Sequence, residues 1–154
     1  MTSQEIQTFF TAKLPADWFT QPVRIENDQD EILCVGVLPA GRTAREFREA
    51  TRAERMAIAS EAEELYRRKV SWGVEVDGET ILFTTANLPM MTRLRLPERR
   101  VLDTLVEAGV ARSRSDALAW CVRLVGRHQS EWLTDLREAL GGVERVRAEG
   151  PTPV

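Results

Sequence analysis

Arg93 and Arg95 stand two residues apart, with Met91 in step with them. On a β-strand that spacing puts all three side chains on one face, while Thr92, Leu94 and Leu96 occupy the other. The first face suits an anionic groove and the second suits a core. A guanidinium is a planar fork of donors that matches O6 and N7 of guanine in the major groove of DNA. Further along, Ser113-Arg114-Ser115-Asp116 has the form of a variant capping box. The Ser113 hydroxyl satisfies a free N–H of the first turn, and Asp116 reaches back. Open N–H groups at such a helix start, with Arg112 and Arg114 beside them, make a seat for phosphate.

These groups need elements to hold them. Pro97 has no N–H to lose at a helix start, and Glu98 is favourable there beside the helix dipole. Val101, Leu102, Leu105 and Val106 have the three-and-four spacing of a buried helical stripe, which Gly109 ends. Ala117, Leu118, Cys121, Val122 and Val125 continue as a second stripe, broadened by Trp120 and Leu124. A strand as short as residues 92–96 cannot stand alone in water. Paired with its copy in a second chain, it becomes an antiparallel two-stranded ribbon that fits the major groove. Paired with an upstream strand of its own chain, it loses the groove-reading role.

Charge is distributed in the same sense. The 154-residue chain has a net charge of −3. Residues 1–90 hold 10 basic and 15 acidic groups, residues 91–127 hold 8 arginines and 4 acids, and residues 128–154 hold 3 basic and 5 acidic groups. A basic island in an acidic chain fits an anionic partner met at one place. The hydrophobic content of 43% supports a real core. No apolar run is long enough for a membrane span, and the N-terminus lacks the pattern of a signal peptide. A cytoplasmic protein with Cys34 and Cys121 reduced is expected.

The upstream part reads as a separate α+β domain over residues 1–85. Residues 3–13 form a short helix capped by Ser3, with Ile6, Phe9 and Phe10 on its apolar face and Pro15 ending it. Residues 23–26 and 32–38 form a hairpin around the turn cluster at 27–30. Residues 43–69 read as one long helix with Glu and Arg mixed on its outer surface. Residues 70–76 and 79–84 form a second hairpin at Asp77-Gly78, the strongest turn signal in the chain. The expected architecture is two β-hairpins packed on a long helix. Residues 86–90 then act as a linker, and residues 128–140 form an amphipathic helix broken by Gly141-Gly142. Its apolar side carries Trp132, Leu133, Leu136 and Leu140, and the tail from Glu149 is expected to fray.

Residues 91–127 resemble a ribbon-helix-helix domain, the fold of the Arc and Met repressors and of many antitoxins. The resemblance rests on Thr-Arg-Leu-Arg-Leu-Pro at 92–97, the Gly109 turn and Ser-Arg-Ser-Asp-Ala at 113–117, and covers about a quarter of the chain. It implies that Met91, Arg93 and Arg95 read bases, and that the backbone from Ser113 to Ser115 grips a phosphate. It also implies a dimer core that includes Leu94, Leu96, Leu105, Leu118 and Val122. Many members carry the strand near the N-terminus, whereas here about 90 residues precede it.

The expected function is therefore a dimeric, sequence-specific DNA-binding transcriptional regulator that acts by recognition and not catalysis. An effector or protein partner would act through residues 1–85 or 128–140. The alternative is a protein-interaction module, or an antitoxin-like protein without operator binding. No cofactor or metal is expected. His128 is the only histidine, and no CxxC, Gly-rich phosphate loop or HExxH occurs. The acidic run Glu61-Ala62-Glu63-Glu64 reads as a solvated helix face, and Trp18, Trp72, Trp120 and Trp132 as core anchors.

Overall fold

The structure, a computed structural model, describes residues 3–151. It is an α+β chain that divides into two compact units, Met1–Pro89 and Met90–Val154.

The first unit opens with helix α1, Ser3–Lys13, which buries Ile6 and Phe10 completely. Ser3 lies inside this helix as its first residue. Strand β1, Arg24–Asn27, turns into β2, Glu31–Val37. The Asp28 carboxylate accepts from the N–H groups of Asp30 and Glu31 at 2.9 and 2.8 Å, which fixes the turn and holds its pKa below the usual carboxylate value. Helix α2, Ala44–Ala50, starts at a reciprocal capping box between Thr43 and Glu46.

The single helix expected over residues 43–69 is two helices. Thr51 interrupts it with φ −102° and ψ 5°, and α3 resumes over Arg52–Tyr66. The Thr51 hydroxyl donates to the Phe47 carbonyl at 2.6 Å, a local bond that competes with regular helix geometry. Arg67 adopts a left-handed conformation (φ 57°) and ends α3, so Lys69 begins strand β3, Lys69–Val76. Asp77 and Gly78, at φ 51° and 80°, turn the chain into β4, Glu79–Leu82.

The two hairpins share one sheet of order β1-β2-β3-β4. β2 and β3 run parallel, pairing Cys34 with Trp72 and Val35 with Gly73, and the helical crossover between them makes this possible. The core is aromatic. Trp18 meets Phe47 edge-on at 5.3 Å and Trp72 at 6.4 Å, and Phe10 meets Trp72 at 5.9 Å. These contacts knit α1, the sheet and α2 into one body, with Ile32, Cys34 and Val74 fully buried between them.

The second unit is helical. α4, Leu96–Glu107, is closed by Gly109 (φ 74°), whose N–H bonds the Val106 carbonyl while the Val110 N–H bonds that of Leu105. α5 spans Arg114–His128 and α6 spans Ser130–Glu149. The break expected at Gly141-Gly142 does not occur, because a helix tolerates glycine when its backbone ladder continues. The fraying expected from Glu149 falls partly on residues 152–154, outside the described residues.

Among the described residues of this unit, the buried core is Leu102, Ala111 and Ala117, with Leu94, Leu105, Val106, Leu118 and Cys121 packed partly against it. Trp132 is 57% exposed, so it is not the core anchor expected within this chain.

Candidate nucleic-acid interface

Residues 91–95 form no strand in this chain. The backbone is irregular there, and none of these residues belongs to the four-stranded sheet. The strand expected through Leu96 also stops sooner, because Arg95 is the N-cap of α4 and Leu96 its first residue. The expected inward face is held at one point. Leu94 packs against the helical core, whereas Thr92 and Leu96 are exposed. Arg99 secures the segment by donating from Nη1 to the Leu94 carbonyl at 2.7 Å. With Leu94 tethered, its neighbours Arg93 and Arg95 are exposed, and Met91 is fully so.

The second group forms around the start of α5. Ser113 is its N-cap, with φ −156° and ψ 166°, and its Oγ accepts from the Asp116 N–H at 3.1 Å. Asp116 reaches back to the N–H of Arg112, at 2.9 Å, one residue earlier than in a regular capping box. The N–H groups of Arg114 and Ser115 sit in the first helical turn, where no earlier helical carbonyl can receive them. They are the donors left for an anion.

The Arg114 side chain is engaged elsewhere. Its Nε and Nη2 bond both oxygens of Asp103 on α4 at 2.7 and 2.8 Å. This bridge holds the Asp103 carboxyl below the usual carboxylate range and raises Arg114 above the usual arginine value. Arg112 is exposed, with its Nε 3.8 Å from Asp116. Of the expected phosphate contacts, the open donors are therefore backbone N–H groups with Arg112 nearby, and Arg114 acts as a strut between α4 and α5.

The helices leave apolar side chains uncovered. Leu96 is 58% and Val122 66% exposed, and both belong to the dimer core implied by the ribbon-helix-helix resemblance. Leu94, Leu105 and Leu118, from the same expected core, are half-buried. Among the described residues no cluster of three or more His, Cys, Asp or Glu could hold a metal ion. No described helix is long and apolar enough to cross a membrane. Cys34 and Cys121 are free thiols.

Residues 4–82 match the family model described as Rv1265-like protein, N-terminal domain. The Mycobacterium tuberculosis protein Rv1265 is 54% identical over 156 residues, covering 93% of this chain and 69% of its own length. The chain belongs to the Rv1265-like family. The Mycobacterium bovis protein Mb1296 aligns with the same identity and coverage, and the names of both relatives assign no activity. Residues 95–147 match a second model, described as Mb1296 C-terminal domain. No solved structure matches the chain. The two matched segments fall inside the two structural units, and the second takes α4, α5 and nearly all of α6 together. Residues 91–94 lie between the two matched segments.

Sequence reasoning missed the Asp103–Arg114 bridge, whose partners lie on different helices. It also missed a face of arginines on α2 and α3. The signal for that face was present in the three-and-four spacing of Arg45, Arg48, Arg52 and Arg55.

Proposed function

We propose that the chain is a cytoplasmic homodimer that binds double-stranded DNA as a sequence-specific transcriptional regulator, using residues 91–95 of both copies as an antiparallel ribbon in the major groove. Arg93 and Arg95 read base edges with Met91 beside them, while the Ser113–Ser115 backbone and Arg112 position the phosphate chain. One observation carries this reading. Leu94 is tethered to the helical core between two exposed arginines, in a segment outside the sheet of its own chain. The exposed Leu96 and Val122 support the second copy, since three buried side chains make a meagre core for a unit of this size.

A gel shift with duplex DNA from upstream of the protein's own gene tests the proposal. Binding should weaken steeply as salt rises. Arg93→Ala or Arg95→Ala should each cost about 1–3 kcal/mol of discrimination between specific and nonspecific duplexes. Equal binding by the variants and the parent protein removes the base-reading role.

The second reading is a protein-interaction module without operator binding. It is favoured by α6, where Trp132, Leu136, Leu140, Val143 and Val146 are all exposed. A chain that captures no duplex DNA at low salt, yet remains a dimer, would decide for this reading.

A further inference from the structure

Arg45, Arg48, Arg52 and Arg55 all face an open cavity of about 770 Å³ in the N-terminal unit. Its apolar side is supplied by Ile81, Leu82 and Phe83, from β4 and the residue that follows it. Arg45 has a counter-ion, with Glu49 3.1 Å from its Nε. Among the described residues no carboxylate lies within ion-pair distance of Arg48, Arg52 or Arg55.

Arg55 is the telling member. It is only 4% exposed, and a buried charge without a counter-ion is costly. Its side chain donates to Thr51 Oγ1 at 3.0 Å and to the Arg48 carbonyl at 2.8 Å, both uncharged acceptors. It lies 5.1 Å from the centre of the Phe83 ring, and Arg48 lies 5.6 Å from the same ring. Burial, followed by repulsion from Arg48 and Arg52, pushes its pKa below the usual arginine value. An anion in the cavity relieves that repulsion and supplies the missing counter-charge.

We propose that this cavity binds a phosphate-bearing small molecule with a flat apolar body. The phosphate lies among Arg48, Arg52 and Arg55, and the body lies against Ile81, Leu82 and Phe83. Phosphate fits better than a single carboxylate because several forked donors converge where only Glu49 offers negative charge. A small molecule fits better than a nucleic acid because the volume is that of a ligand pocket and residues 1–90 are net acidic. The cavity is lined only by residues of the N-terminal unit and includes none of residues 91–115, so it stands or falls independently of DNA reading.

The test uses the full chain, calorimetry at fixed ionic strength, and three probes: phenyl phosphate, inorganic phosphate and benzoate. Phenyl phosphate should bind about tenfold more tightly than either other probe, since each lacks one half of the recognised chemistry. Arg48→Gln with Arg52→Gln changes two exposed side chains, and should keep the circular dichroism spectrum while weakening phenyl phosphate by about tenfold or more. If the double variant misfolds, Arg52→Gln alone must weaken it by about threefold. Equal binding of phenyl phosphate and benzoate, no binding of phenyl phosphate, or binding unchanged in a folded variant overturns the proposal. Displacement of phenyl phosphate by short duplex DNA in the Arg93→Ala/Arg95→Ala background also overturns it, by giving these arginines to nucleic acid.

Discussion

Arg114 grips Asp103 through both Nε and Nη2, with hydrogen bonds of 2.7 and 2.8 Å joining the first turn of α5 to the middle of α4. The pair fixes the angle at which the open N–H groups of α5 are presented. It also neutralises an arginine that charge counting alone would assign to DNA.

Replacing Asp103 with Ala should therefore act in two ways. The lowered pKa of Asp103 means that its contribution to stability is present above the unfolded value of about 3.9 and is lost as pH falls through the folded value. The melting midpoint of Asp103→Ala should lie below that of the parent at neutral pH, and the gap should close in acid. The freed Arg114 should also steepen the logarithmic salt dependence of DNA binding by about 0.9. An identical salt slope would show that Arg114 does not reach phosphate even when released.

Light scattering should give twice the chain mass at micromolar concentration. Val122→Glu should give the mass of one chain and broaden the unfolding of the helical unit, because it places a charge on an apolar side chain that needs a partner. A parent chain that is monomeric under these conditions excludes the ribbon.

Gly109→Ala tests the turn between α4 and α5. An added Cβ meets nothing within 4 Å, so the substitution is opposed by backbone strain at φ 74° and not by packing. It should destabilise the helical unit by about 1 kcal/mol in denaturant titration. The sheet unit should be unaffected.

Burial pushes the Cys34 thiol up to about 12. The thiolate is the reactive form, so iodoacetamide at mildly alkaline pH should leave Cys34 unlabelled until denaturant is added, whereas half-buried Cys121 labels first. The sign for stability follows. The unfolded thiol ionises near 8.5 while the folded one keeps its proton, so this contribution is full below about pH 8.5 and declines as pH rises toward 12. Peptide mass mapping after a timed pulse distinguishes the two cysteines.

Local chemistry was readable in the sequence wherever one short segment decided it. The Asp77-Gly78 turn, the Gly109 stop and the Ser113 cap all stand where their residue types placed them, because each depends on φ or on a hydrogen bond within a few residues. What depends on distant partners was not readable. Thr51 looked like one more helix residue, yet its hydroxyl bond to Phe47 and its neighbour Arg55 divide the helix. Gly141 and Gly142 looked like a stop, yet α6 passes through them. At the candidate interface, the alternation of residues 91–96 gave the right exposure for Met91, Leu94 and the two arginines. It gave the wrong element, since residues 91–95 form no strand in this chain, Thr92 is exposed, and Leu96 joins a helix once Pro97 fixes the first turn.

The sheet also limits how copies of this protein can meet. Its inner strands are seven and eight residues long, but each outer strand has only four. Outer strands this short offer few free amide and carbonyl groups to a stranger's backbone, a common natural guard against runaway edge-to-edge stacking. Edge-to-edge growth of the sheet is thereby disfavoured, which leaves the proposed ribbon at residues 91–95, outside the sheet, as the backbone route by which a second copy would pair.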